Sequence, residues 1–270
     1  MRPQFPLIVE PAQLAEQLGA QNLLIVDLCK PEIYANQHLP GAVHMEYAQL
    51  VAAQPPVMGL LPDDDQLNRV LSALGLTPDM HVVAYDDEGG AKACRLLWTL
   101  DVIGHPHFSL LNGGLRAWIA GQHPVSNVPL RSSASSYQTG NAKQAAADQA
   151  YILAHLQDPQ VKLLDTRTAG EYRGTDKRAQ RSGHIPGAVN LDWTEALGMQ
   201  NNGRLKPAEV LQSRLDALGV TADKEVIVYC QTHHRSSHTY IVLKSLGYTH
   251  IKGYPGAWSD WGNSSDVPVE

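Results

Sequence analysis

The second half of this chain repeats the order of the first, and a repeat of that length leaves few architectures open. A strand-like run Leu-Leu-Ile-Val-Asp ends at Asp27, and Lys-Leu-Leu-Asp ends at Asp165. His-Leu-Pro-Gly-Ala-Val from His38 is answered by His-Ile-Pro-Gly-Ala-Val from His184. A helical stretch from Asp65 has its counterpart from Glu209, and an apolar run ending at Asp86 has one ending at Cys230. Gly-Leu-Arg-Ala-Trp closes the first copy at Trp118, and Gly-Ala-Trp-Ser-Asp-Trp closes the second at Trp261. The spacing holds: Asp86 to Trp118 is 32 positions and Cys230 to Trp261 is 31. The main mismatch is an insertion. Asp27 to His38 is 11 positions but Asp165 to His184 is 19, so the second copy carries eight extra residues around Arg173–Arg181. A period of about half the 270 residues, with one order of elements, predicts two duplicated domains rather than a solenoid.

Each copy reads as α/β. The runs Leu23–Val26, Val82–Tyr85 and Val226–Tyr229 are short, apolar and partly β-branched, as strands buried on both faces require. The stretches Leu67–Leu74 and Val210–Leu218 have helical spacing and stop at Gly75 and Gly219, the expected C′ caps. Leu39-Pro40-Gly41-Ala42 and Ile185-Pro186-Gly187-Ala188 put Pro at i+1 and Gly at i+2, which predicts a type II turn leading into a strand. Strands alternating with helices predict a mostly parallel sheet flanked by helices in each copy. Between the copies, residues 126–147 are rich in Ser, Ala, Gln and Asn without apolar period, a linker composition. The expected division is 1–125, a linker over 126–147, and 148–270.

Composition narrows the function classes. With 43% apolar and 18% charged residues the chain can bury real cores. A net charge of −6 makes nucleic acid a poor partner. No apolar run approaches the roughly 18 residues that span a bilayer, and the start, MRPQFPLIVE, lacks the apolar region of a secretory signal. Three cysteines cannot build a disulfide framework, so a reducing, cytoplasmic setting is expected.

The repeat carries its own control. Where the first copy ends its strand with Asp86, the second has Cys230. Ligands of open α/β sheets sit outside the carboxyl ends of the strands, so Cys230 stands where this architecture puts chemistry, and Asp86 shows that the fold needs no thiol there. The segment Gln231-Thr232-His233-His234-Arg235-Ser236-Ser237-His238 is too polar for a core neighbour. A strand, a tight loop and a helix starting near Ser236–Ser237 turn backbone N–H groups inward and make an anion-holding nest. Arg235 and the imidazoles add positive charge, which favours thiolate over thiol. The first-copy loop, 86–91, holds three acids and two glycines and reads as the electrostatic opposite of an anion cradle.

These residues resemble the rhodanese family in its tandem form, with a non-catalytic first domain and a catalytic second one. The resemblance runs over nearly the whole chain and rests on Asp165-Thr166-Arg167 with Glu171-Tyr172, on His184-Ile185-Pro186-Gly187-Ala188, on Val228-Tyr229-Cys230, on Arg235-Ser236, and on Gly256 with Trp261. It implies a sulfurtransferase. Cys230 takes a sulfane sulfur from thiosulfate or a similar donor, holds it as a persulfide and passes it to a thiophilic acceptor such as cyanide or a protein thiol. Arg235, Gln231, Thr232, His233, His234 and Ser236 are then the donor-binding candidates, with no cofactor, no metal and a monomer expected. The chain also departs from the family. Gln231-Thr232 stand where many thiosulfate-using relatives have a basic pair, the loop lacks the glycines of mercaptopyruvate-using relatives, and Pro186 stands where some relatives have Arg. The donor's anionic end is therefore expected on Arg235, the loop amides and the imidazoles.

Two other functions compete. Cys-dependent phosphatases and arsenate reductases on the same fold place five residues between Cys and Arg; here there are four, a narrower cradle. A non-enzymatic redox or binding module would not need both Cys230 and Arg235. Zinc could use Cys230, His233, His234 and His238, but they straddle a loop–helix junction without a second cluster. Cys29 and Cys94 read as core thiols, Trp118 and Trp261 as packing residues, and Asp192–Glu195 as either a pocket rim or a plain loop.

Overall fold

A computed structural model describes residues 5–140 and 144–270. The first half of the chain runs β1 (Ile8–Val9), α1 (Pro11–Ala15), β2 (Leu23–Asp27), α2 (Pro31–Asn36), β3 (Ala42–His44), a hairpin of β4 (Ala52–Gln54) and β5 (Val57–Leu60), α3 (Asp64–Ala73), β6 (His81–Tyr85), α4 (Ala91–Val102), β7 (Phe108–Leu111) and α5 (Gly114–Ala120). The second runs α6 (Gln149–Ala154), β8 (Val161–Asp165), α7 (Ala169–Tyr172), β9 (Val189–Asn190), a hairpin of β10 (Leu197–Gly198) and β11 (Arg204–Leu205), α8 (Ala208–Ala217), β12 (Glu225–Tyr229), α9 (Arg235–Ser245), β13 (Ile251–Gly253) and α10 (Ala257–Trp261).

Both main sheets are parallel, ordered β1-β7-β6-β2-β3 and β13-β12-β8-β9. In the second sheet, a parallel bridge from Ala146 to Gly253 takes the place that β1 holds in the first. The apolar runs of the sequence become the central strands: Val82–Tyr85 and Val226–Tyr229 are wholly buried. Each valine or isoleucine among them contributes roughly 1.5–3 kcal/mol on removal from water. The predicted turns form, with Ala42 N donating to Leu39 O and Ala188 N to Ile185 O, both at 3.0 Å. Helices α3 and α8 end as expected: Gly75 (φ +78°) and Gly219 (φ +68°) take the left-handed C′ conformation.

In each copy the central strands and a closing tryptophan share a core. In the first copy Ile25, Leu39, Val83, Tyr85 and Trp118 pack together with Cys29. In the second, Leu163, Ile185, Ile227, Tyr229, Trp258 and Trp261 do so. The tryptophans that close each copy also hydrogen-bond locally, Trp118 Nε1 to Pro124 O and Trp261 Nε1 to Pro268 O.

The compact units depart from contiguous halves in two places. One unit comprises Met1–Leu50, Pro62–Ala142 and Leu197–Leu205; the other comprises Val51–Leu61, Lys143–Ala196 and Lys206–Glu270. The β4–β5 hairpin of the first half thus belongs with the second core, and β10–β11 of the second half with the first. Within the segment expected as a linker, residues 135–139 are held by hydrogen bonds. Ser135 N donates to Ser72 O, Tyr137 N to Ser72 Oγ and Thr139 N to Asn68 Oδ1, so this strap lies along α3 and buries Tyr137. Polar side chains on α3 supply the partners, which apolar periodicity does not register. Residues 141–143 of the expected linker lie outside the described residues.

Candidate active site

Strand β12 lies inside its sheet between β13 and β8, so its carboxyl end is flanked on both sides. Cys230 follows immediately and is fully buried. The chain reverses through Gln231–His234, with His233 in the left-handed region at φ +54°, and enters α9 at Arg235. The helix thus begins one residue earlier than the sequence predicts. The loop is tied from outside: Trp258 N donates to Cys230 O at 3.0 Å and Ser259 N to Gln231 O at 2.9 Å. Ala257, at the start of α10, also has positive φ (+50°), where the first copy has Gly114 at +54°.

The loop converges on the sulfur. Burial opposes ionisation of Cys230. The Arg235 guanidinium, the Ser236 hydroxyl and N–H, and the Thr232 N–H outweigh it, and the thiol pKa falls below its ordinary value. The other two cysteines are the contrast. Burial drives the thiols of Cys29 and Cys94 upward, and nearby carboxylates push the same way. They are core residues, as expected.

Arg235 is shared between the Cys230 sulfur and a carboxylate. Its Nη1 and Nη2 donate to Glu171 Oε2 and Oε1 at 2.7 and 2.8 Å, a bidentate pair. Burial disfavours charge on Glu171, but the hydrogen bonds and charge of Arg235, with Thr168, hold its pKa down to about 2. Glu171 is the residue that sequence reasoning left without a role. Its signal was present: Thr168 and Glu171 form a capping box at the start of α7, which fixes the carboxylate.

The remaining candidates divide. Ser236 is buried, and its Oγ lies 2.7 Å from His233 Nδ1, so His233 acts on the loop through Ser236. Thr232 offers backbone to the sulfur. His234 caps α9 and accepts from Ser237 Oγ at 2.7 Å through its carbonyl. The Gln231 side chain turns to the insertion, where Nε2 donates to Arg178 O at 3.2 Å. This contact engages its amide with a neighbouring loop. His238 sits one turn along α9, edge-on to Trp193, and burial pushes its pKa down to about 4. Asp192, Trp193 and Glu195 line an apolar cavity with Leu211, Leu215 and Val242. Among the described residues no helix is long and apolar enough to cross a membrane.

A family model, the Rhodanese-like domain, matches residues 10–121 and again 148–264. The chain belongs to the rhodanese family. The chain is 42% identical over 266 residues to the thiosulfate sulfurtransferase of Azotobacter vinelandii, covering 98% of this chain and 97% of that one. It is 43% identical over 268 residues to the thiosulfate sulfurtransferase of Pseudomonas aeruginosa, with the same coverage. The sulfur carrier protein TtuD of Thermus thermophilus is 33% identical over 255 residues, 88% of this chain and 86% of its own. The crystal structure of YnjE superposes with a TM-score of 0.88 at 21% identity, over 97% of this chain and 68% of that one, which speaks for the fold alone.

The two rhodanese-like copies differ at one decisive place. The loop after β6 is not the opposite of an anion cradle, as its three acids suggest. It is a cradle already filled. Asp86 Oδ1 accepts from Glu88 N and Gly90 N at 2.9 and 2.8 Å, and Oδ2 from Lys92 N and Ala93 N at 2.8 and 3.0 Å. The inward N–H groups are a property of the strand–loop–helix turn itself. In the first copy a built-in carboxylate satisfies them; in the second they surround a sulfur.

Proposed function

We propose that this rhodanese-family protein is a sulfurtransferase in which Cys230 carries sulfur from thiosulfate to a thiophilic acceptor. The Cys230 thiolate attacks the outer sulfur of thiosulfate. A new S–S bond forms, the old one breaks, and sulfite leaves with the electron pair. A nucleophile such as cyanide then attacks the terminal sulfur of the persulfide, thiocyanate departs, and the thiolate is restored. No oxidant or cofactor enters the balance. The reading agrees with the sulfurtransferase names of its relatives. The observation that carries it is a buried cysteine whose ionisation is favoured by Arg235 and by backbone N–H groups, at a place where the other copy has Asp86.

Within this reading Arg235 chiefly stabilises negative sulfur, and Glu171 holds it in position. The sulfonate end of the donor rests on the loop amides and the start of α9, with Thr232, Ser236, His233 and His234 shaping the loop around it. The four-residue Cys–Arg spacing suits a single sulfur atom better than a tetrahedral phosphate. The first copy, plugged by Asp86, is catalytically silent, and the functional division is 1–125, 126–147 and 148–270. The protein works as a monomer in a reducing, cytoplasmic setting, where free thiols persist. A protein thiol is a second acceptor class.

Intact mass spectrometry tests this directly. Thiosulfate should add one sulfur atom, located on Cys230, and cyanide should remove it. A chain that gains no sulfur, or gains it at Cys29 or Cys94, overturns the reading.

A further inference from the structure

The β4–β5 hairpin comes from the first half of the chain yet packs on the catalytic core of the second unit, with β5 against α10. Two sets of contacts connect it to the Cys230 loop. The first runs through Ser259 on α10. Met58 N donates to Ser259 Oγ at 2.9 Å, Ser259 Oγ lies 3.0 Å from Met58 O, and Ser259 N donates to Gln231 O at 2.9 Å. The second is direct. Gly59 is buried in the left-handed region at φ +73°, and a Cβ there would overlap the Thr232 carbonyl oxygen and lie 2.6 Å from Thr232 Cβ. Thr232 is the residue whose N–H serves Cys230.

We propose that Gly59 is a positioning residue for the reaction at Cys230: its bare backbone lets β5 bear directly on Thr232 and holds the 231–233 segment closed around the sulfur. The silent half of the duplication thereby contributes a structural part to the working site. A side chain at position 59 has nowhere to go except into the Thr232 peptide. The Thr232 carbonyl and Cβ would move, and the N–H of the same residue would be drawn away from the sulfur. The argument rests on the functional reading above, since it matters only if Cys230 is the reacting group.

Gly219 supplies the control. It has a similar positive φ (+68°) in the same unit, but nothing lies within 4 Å of a Cβ built there, so Gly219→Ala carries the backbone strain without the contact. In the full chain, four proteins are compared: wild type, Gly59→Ala, Gly219→Ala and Ser259→Ala. The rate of Cys230 alkylation by iodoacetamide is followed against pH by peptide mass, beside melting temperature and the thiosulfate kcat and KM. Both glycine variants should melt lower. Of these two, Gly59→Ala alone should shift the alkylation profile to higher pH, by about one unit, which is about a tenfold smaller thiolate fraction at neutral pH. Its kcat/KM should fall by a similar factor. Ser259→Ala, which removes the link to Met58 without a clash, should shift the profile the same way and less; it decides the matter if Gly59→Ala does not fold. Profiles for Gly59→Ala and Ser259→Ala that match wild type overturn the proposal, as does an equal shift in Gly219→Ala. A wild-type Cys230 that alkylates like an ordinary thiol overturns the functional reading instead.

Discussion

One atom separates the chemistry of Cys230 from that of a serine, and the surroundings of that atom decide what the loop can do. A hydroxyl in the same nest stays protonated, because Arg235 and a few N–H groups fall far short of ionising it. Cys230→Ser should therefore fold normally and lose sulfur transfer completely; residual cyanide-dependent thiocyanate formation would count against Cys230. Glu171 yields a prediction of a different kind. Its carboxyl holds a pKa of about 2 in the folded chain against an ordinary 4.5, so the folded state binds this proton more weakly than the unfolded one. The stabilisation is then complete above 4.5 and fades as pH falls towards 2. In Glu171→Gln the contribution is absent at every pH. The stability gap between wild type and variant, measured by urea unfolding across pH, should be flat near neutrality and close in acid. Thiosulfate kcat/KM should drop about tenfold in the variant, the loss of one charge-assisted anchor; a gap that does not close in acid would show that Glu171 and Arg235 are not an ion pair in solution. Cys230 was legible because the repeat supplied its contrast with Asp86. Glu171 was legible only as a cap, since no sequence pattern tells which cation a fixed carboxylate will face 64 positions away.

The strands, the type II turns and the glycine stops were readable because each rests on local physics: buried apolar runs, Pro-Gly geometry and left-handed φ. What was not readable is where short polar elements dock. The 126–140 strap follows α3 through Ser72 and Asn68 rather than through apolar residues, and both hairpins join the core of the opposite half. Alternation within a three-residue strand is too short to reveal a destination. Under the proposed function, sulfur transfer depends on the Cys230–Arg235 loop and on its length. A nest widens as N–H groups are added around it. Inserting one residue between Cys230 and Arg235 should therefore lower the sulfurtransferase rate and increase stabilisation by added phosphate, read as a thermal shift, with slight hydrolysis of an aryl phosphate. Unchanged transfer and an unchanged response to phosphate would show that loop length does not select sulfur here.

At the scale of the whole molecule, duplication has produced one nest that surrounds a thiol and one that is closed by its own side chain. The difference makes the first copy a test of what the turn does without chemistry. Asp86 satisfies four backbone N–H groups at once, and Gly114 and Leu115 pack against its carbonyl, with Leu115 N donating to Asp86 O at 3.2 Å. Asp86→Ala would leave four donors, two buried and two part-buried, facing an empty space. Water re-satisfies some of them, so the cost should be on the order of 2–4 kcal/mol, less than four separate losses. That lowers the melting temperature of a unit this size by roughly 10 °C. An emptied nest should also recover what it was built to hold. Added sulfate should restore more of the melting temperature in Asp86→Ala than it adds to wild type, because an anion that binds only the folded cradle stabilises it by mass action. Sulfur loading at Cys230 should persist below the melting transition, since Asp86 takes no part in it. Thermal unfolding with and without sulfate, beside the thiosulfate-dependent mass gain, checks both statements. A variant as stable as wild type, or one indifferent to sulfate, would show that the Asp86 carboxylate is not what the loop amides are arranged to bind.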